Sequence, residues 1–226
     1  MRSALGRIGV AAVAAALLTS CSGGDGGDAT KEPEGLAAAE VCRGFAKDAA
    51  VTAALKTATD SERFHDGLSA SQPDKALDLL RDATRAPLSD SYRPQPRPYC
   101  KIWRVGDIDK DLKIELSPAS KAPGMDPELL KKVTLYTSGA LAYSSSGLGN
   151  VYFSCDLKEP AHDFVVETTI WGPAGIPDAD LEQRTRLITL ANAAARQVSA
   201  ELGCQGDELA TGVPKAIPAT SSAPSS

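Results

Sequence analysis

Histidine is scarce in this sequence: His65 and His162 are the only two. Neither lies in an HExxH segment, so a paired-histidine zinc helix is excluded. Neither accompanies a GxSxG nucleophile elbow. Each has an aspartate beside it, in Arg63-Phe64-His65-Asp66 and Pro160-Ala161-His162-Asp163, and a surface-loop position is the plainer account of both. GxGxxG and the P-loop lysine are also missing, so no phosphate cradle can be claimed. No CxxC or CxxH spacing occurs, which argues against a zinc cage. There is no internal repeat. The apolar run near the start, Ile8 to Leu18, has eleven residues, well short of the roughly 20 that a membrane-spanning helix needs.

That run has the flanks of an export signal. Arg2 and Arg7 precede it, and Leu18-Thr19-Ser20-Cys21 follows. The tetrapeptide resembles the lipobox of bacterial lipoproteins: a leucine, two small residues and a cysteine. The resemblance implies that residues 1–20 are a signal peptide and that Cys21 carries a diacylglyceryl group as the mature N-terminus. Two acyl chains hold a protein stably where one gives only marginal binding. The implied location is the extracytoplasmic face of the cell membrane, lipid-anchored. The arginines are not adjacent, so the general secretory route is expected.

Residues 21–35 continue with glycine and acid and, beyond Cys21 and Pro33, hold no apolar side chain larger than alanine; they read as a flexible tether. The whole chain has 24 basic residues against 29 acidic. Without Arg2 and Arg7 the mature chain has 22 against 29, a formal charge of −7. Nucleic acid rewards clustered lysine and arginine, so it is not an expected partner, nor are anionic headgroups. Four cysteines remain beyond the anchor: Cys42, Cys100, Cys155 and Cys204. An even number in an oxidising compartment predicts two disulfides.

One domain is expected over residues 36–209, with a proline-, serine- and threonine-rich disordered tail over 210–226. Leu36, Ala39, Cys42, Phe45, Ala46, Ala49 and Ala53 recur at spacings of three and four, which predicts a helix from Leu36 to about Thr57. A second helix is expected from Pro73 to Arg85, with Ser71 as its cap. After the extended segment Arg93-Pro-Gln-Pro-Arg-Pro98, the period becomes two. Strands are expected at Tyr99–Val105, Asp111–Leu116, Val133–Thr137, Val151–Cys155 and Phe164–Trp171. A last helix is expected from Leu181 to Leu202, with Asp180 at the N-cap, Gln183 three residues on, and Gly203 as its stop. The fold class is α+β: an antiparallel sheet of about five strands with helices on one face.

The cysteine placements favour Cys42–Cys100 and Cys155–Cys204, because each bridge would then tie a helix to a strand. Cys42–Cys155 with Cys100–Cys204, and Cys42–Cys204 with Cys100–Cys155, remain open.

Three other features invite a functional account. Asp107-Ile108-Asp109-Lys110-Asp111 imitates the start of a calcium loop, but Leu112 occupies the position that needs glycine and Pro118 the one that needs glutamate; an acidic hairpin turn is expected instead, and no metal. Ser138 to Asn150 (SGALAYSSSGLGN) could offer hydroxyls and amides to a ligand, or simply connect strands. Tyr99, Trp103 and Trp171 could stack on sugars if they faced solvent.

The segments Val41-Cys42-Arg43-Gly44-Phe45, Tyr99-Cys100-Lys101-Ile102-Trp103, Val151-Tyr152-Phe153-Ser154-Cys155 and Glu201-Leu202-Gly203-Cys204 resemble those of a group of uncharacterised secreted lipoproteins of Streptomyces and related actinobacteria. More distantly, the plan is similar to mycobacterial surface lipoproteins and extracellular sensor domains. The resemblance implies binding of an envelope ligand or protein partner and supplies no catalytic residue or cofactor. A non-catalytic binding module is therefore expected, with a cell-envelope hydrolase as the alternative.

Overall fold

Stretches rich in apolar, β-branched and aromatic residues, most of them after the proline-rich segment, build one antiparallel sheet of eight strands in this computed structural model, which describes residues 34–67, 72–92, 94–158, 161–173 and 180–218. The strands are β1 (Phe64–Asp66), β2 (Arg97–Arg104), β3 (Asp107–Ala119), β4 (Thr134–Thr137), β5 (Leu141–Ser144), β6 (Leu148–Cys155), β7 (Phe164–Trp171) and β8 (Lys215–Ala216). Their spatial order is β1-β2-β3-β7-β6-β5-β4-β8. The helices are α1 (Ala49–Thr59), α2 (Gln72–Ala83), the single turn α3 (Pro127–Leu130) and α4 (Leu181–Leu202). The chain from Pro33 onward forms one compact unit. The signal segment, Cys21, most of the tether, the Ser71 cap and residues 219–226 lie outside the described residues.

The α+β class with an antiparallel sheet holds, but the sheet has eight strands rather than about five. All five expected strands are present. The three others are short: β1 has three residues, β8 has two, and β5 is four residues inside the serine–glycine stretch. None is long enough to display a period.

α2 and α4 pack on the sheet, and α1 packs on α4. The inward residues of β7 are Phe164, Val166, Thr168 and Ile170; their cross-strand neighbours include Leu116 and Ile114 on one side and Val151 and Phe153 on the other. All are buried, and they meet Leu187, Ile188, Ala191, Ala194 and Val198 of α4. Fully burying one such leucine, isoleucine, valine or phenylalanine stabilises by roughly 1.5–3 kcal/mol. The α4 backbone lies so close to β6 that a Cβ on Gly149 would be 2.6 Å from the Leu187 carbonyl oxygen. Glycine is needed there for contact, not for turn geometry.

α4 has the expected limits, Leu181 to Leu202. The Asp180 carboxylate accepts from the Gln183 N–H at 2.8 Å, and Gly203 ends the helix at φ 77°. The first helix differs from expectation. It begins at Ala49, behind Asp48, whose carboxylate accepts from the Ala50 N–H. Residues 41–44 form instead a tight turn in which Cys42, Arg43 and Gly44 have φ values of 48°, 63° and 81°. A left-handed non-glycine residue costs roughly 1–2 kcal/mol, so the turn needs outside support. The Asp66 carboxylate accepts from the Cys42 N–H at 2.6 Å, Cys42 is bonded to Cys100, and the Gln197 side chain donates to the carbonyls of Cys42 and Arg43. Arg43 itself pairs with Asp74 at 2.7 Å and Glu201 at 3.5 Å. The three-and-four spacing of apolar residues comes from a folded-back segment that buries Val41, Cys42, Phe45 and Ala46 without being helical.

The disulfides are Cys42–Cys100 and Cys155–Cys204, the favoured pairing. The first links the 41–44 turn, rather than a helix, to β2. The second links β6 to the residue after the stop of α4.

The tail expected to be disordered from Ala210 is part of the fold up to Pro218. Asn192, 2% exposed in α4, donates to the carbonyls of Ala210 and Gly212 at 2.9 and 3.3 Å. Its side-chain oxygen accepts from the Ser138 hydroxyl at 2.5 Å, and that hydroxyl accepts from the Ala210 N–H at 3.1 Å. β8 then pairs with β4. The segment has few large apolar side chains to bury, yet its carbonyls find partners in the core.

Candidate ligand-binding cleft

The second face of the sheet carries the alternate residues of each strand. Reading the registers across β3, β7, β6 and β5 gives two adjacent rows: Glu115, Thr169, Asn150 and Tyr143 in one, and Ser117, Glu167, Tyr152 and Leu141 in the next. Successive strand residues point to opposite faces, so this polar set lies back to back with the apolar core.

Four of these side chains form a hydrogen-bonded cluster. The Tyr152 hydroxyl donates to Glu167 Oε1 at 2.6 Å, and the Asn150 amide donates to the same oxygen at 2.9 Å. The amide also reaches the Tyr143 hydroxyl at 3.4 Å. Asn150 is 4% exposed, and its Oδ1 has no partner among the described residues. A buried polar atom without a partner costs roughly 1–3 kcal/mol. Burial, and then the hydrogen bond and charge of Glu167, push the Tyr152 hydroxyl far above the ordinary tyrosine range. Burial and Glu167 also raise Tyr143. Both phenols therefore remain protonated donors in neutral solution.

Tyr152 and Glu167 open onto a cleft of about 370 Å³. Its floor includes Ser117, and its walls come from two connections: the segment after α2, with Tyr92, Pro94 and Pro96, and the segment after β3, with Lys121 and Pro123. Lys121 pairs with Asp90 at 2.5 Å, and Ser120 donates to the same carboxylate at 3.0 Å, so the two connections are tied at the rim. The volume lies within the range of small-molecule sites. Strands position the polar groups, while prolines stiffen one wall.

The residues singled out from sequence are dispersed. His65 is paired across strands with Trp103, ring centroids 5.9 Å apart, and the His162 N–H donates to the Thr84 carbonyl. Among the described residues neither ring hydrogen-bonds a serine or a carboxylate, and neither lines the cleft. Tyr99 is fully buried and donates to Glu201 at 3.3 Å, which removes it from any stacking surface. Trp171 is 45% exposed, with its indole N–H donating to Glu115 at 2.7 Å.

The acidic stretch that imitates a calcium loop begins β3 rather than forming a turn. Asp107 pairs with Arg104, and Asp111 with Lys101. Asp109 has no described side chain. Among the described residues, Cys42, Asp66 and Cys100 come within metal-ligand distance of one another, but both sulfurs are in the disulfide and Asp66 accepts from Cys42.

Ser138 to Asn150 forms two hairpin connections around β5. Ser138 serves Asn192, and the Ser144 hydroxyl bonds the Leu148 carbonyl at 2.7 Å. Its serines are thus structural, whereas Tyr143 and Asn150 of the same stretch join the cluster. Tyr152 and Glu167 carry no functional signal in the sequence. They are lone polar residues at outward strand positions, without motif spacing, and only their cross-strand register unites them. No protein-family model, curated protein or solved structure matches the chain.

Proposed function

We propose that this chain is an extracytoplasmic lipoprotein, anchored by lipid on Cys21, whose folded domain binds an envelope ligand or partner in the cleft at Tyr152 and Glu167. The cleft carries the reading. It joins convergent polar groups on rigid strands to a wall of aromatic and proline side chains, the composition of a recognition site. The lipobox resemblance supports the anchor, and no helix among the described residues is long and apolar enough to cross a membrane. The cluster fits binding, since Tyr152 and Asn150 both donate to one oxygen of Glu167 and so fix the carboxylate at the cleft.

Tyrosine-ring NMR of the full-length chain in detergent micelles tests the binding site. Neutral, cationic and anionic small aromatics and sugars are titrated in turn. Shifts at Tyr92 and Tyr152 with at least one class, absent at buried Tyr99, support the reading. No shift at Tyr92 or Tyr152 with any of them overturns it.

A further inference from the structure

The charge inside the cleft is uneven. Among the described residues that line it, the one cation, Lys121, is committed to Asp90. Glu167, deeper and half-buried, has no ion pair among the described residues. Its two hydrogen bonds come from neutral groups, Tyr152 and Asn150, and both fall on Oε1. They fix the orientation of the carboxylate without neutralising it. A carboxylate partly withdrawn from water is disfavoured unless a cation or further donors meet it. Proteins normally provide that cation as lysine or arginine. The strand neighbours of Glu167 are instead Ser117 and Tyr152.

The walls add a second requirement. Tyr92, Pro94, Pro96 and Pro123 add aromatic and apolar surface to the cleft onto which Glu167 opens. Such surface favours an organic body over a hydrated metal ion, and tyrosine faces attract ammonium groups. An anionic ligand would meet the charge of Glu167, and like charges brought together in a cleft are rejected. A neutral ligand would leave the carboxylate unpaired. The formal charge of the whole chain, −5, favours the approach of cations as well.

Resting on the binding role proposed above, we infer that the cleft takes a small organic cation, an amine carried on an apolar or aromatic body, with its ammonium group on Glu167. Tyr152 and Asn150 hold the carboxylate in place, and the body lies between Tyr92 and the prolines.

Calorimetric titration of the full-length chain in micelles tests the charge preference with three probes of similar shape: benzylamine, benzyl alcohol and benzoate. Benzylamine is expected to bind about tenfold or more tightly than benzyl alcohol, and benzoate more weakly than either, as a charge-assisted hydrogen bond exceeds a neutral one. Glu167→Gln keeps an oxygen to accept from Tyr152 and Asn150; it is expected to retain the melting temperature within a few degrees and to abolish the preference for the amine. Benzyl alcohol or benzoate binding as tightly as benzylamine overturns the cation assignment while leaving the cleft as a binding site. An amine preference that survives in folded Glu167→Gln overturns it too. The ranking of the three probes on the unmodified chain needs no variant, so a Glu167→Gln protein that failed to fold would still leave the inference decided. Absence of binding by all three probes overturns it as well.

Discussion

The side-chain oxygen of Asn192, in the middle of α4, accepts a 2.5 Å hydrogen bond from the hydroxyl of Ser138, 54 residues earlier in the β4–β5 connection. The amide nitrogen of the same asparagine holds Ala210 and Gly212. One buried side chain therefore joins the longest helix, a hairpin and the C-terminal segment.

Asn192→Ala is expected to cost about 2–4 kcal/mol, because it leaves the Ser138 hydroxyl and two carbonyls without their partner. The larger effect should be local. Hydrogen exchange at Ile217, whose N–H donates to the Leu135 carbonyl at 2.8 Å, should accelerate more than exchange in α4. Equal acceleration everywhere would show that the C-terminal segment does not depend on this link.

Gly149→Ala is expected to destabilise by roughly 1–3 kcal/mol through overpacking, since the new methyl would collide with the Leu187 carbonyl. A methyl on Gly147 would meet nothing within 4 Å, and Gly147→Ala is expected to be close to neutral. Urea denaturation of the two variants makes the comparison; similar midpoints would contradict the close approach of α4 to β6.

Alkaline pH should unfold the domain cooperatively. Burial raises the hydroxyls of Tyr99 and Tyr152 above the ordinary value near 10. For a group whose folded pKa is raised, the stabilising contribution is complete below the unfolded pKa and declines as pH rises above it. Stability should thus be level to about pH 9 and fall above about pH 10, by up to about 1.4 kcal/mol per pH unit for each such tyrosine. Thermal melts at a series of pH values, followed with tyrosinate absorbance, check this. Ionisation of all the tyrosines before any loss of structure would refute it.

Replacing Cys42 and Cys100 by alanine is expected to cost about 2–5 kcal/mol. The turn should respond first, since Cys42 and Arg43 hold left-handed backbone that the bridge, Asp66 and Gln197 maintain together. Exchange at the N–H of position 42, compared with that of α1, reports whether the turn opens ahead of the helix.

The lipid anchor has its own check. Mass spectrometry of the membrane-extracted protein should find Cys21 as the mature N-terminus with a diacylglyceryl adduct, and Cys21→Ala should appear in the medium. Unchanged membrane retention of that variant would refute the anchor.

Legibility in the sequence follows the length of each signal. α4 shows its cap in Asp180 and Gln183, its stop in Gly203 and a long stripe of apolar residues between, so its limits can be read directly. β7 is equally clear, because seven of its eight residues are β-branched or aromatic. Leu36 to Phe45 has a helical spacing that long-range partners override: Asp66, Cys100 and Gln197 are all distant in sequence. The cleft is not legible because its polar residues come from separate strands. Tyr152 and Glu167 are 15 residues apart, and nothing in either strand alone distinguishes them from ordinary solvent-facing positions. The Ser138–Asn150 stretch draws attention through its serines, whereas its contribution to the cluster comes from Tyr143 and Asn150.

The ends of the strand order bear on how such domains behave when crowded together. A long sheet with bare margins would invite a neighbour to add its own strand. At one margin Leu36 bridges Phe64, exchanging hydrogen bonds of 2.7 and 3.0 Å, so β1 already has a partner on its outer side. At the other, β8 is two residues long, starts with Lys215 directly after Pro214, and has Pro218 close behind. Proline cannot donate to a ladder, and lysine resists desolvation. Among the described residues, copies held side by side at high local density would thus meet one covered margin and one very short, proline-flanked one, a poor template for strand addition even where diffusion is confined to two dimensions.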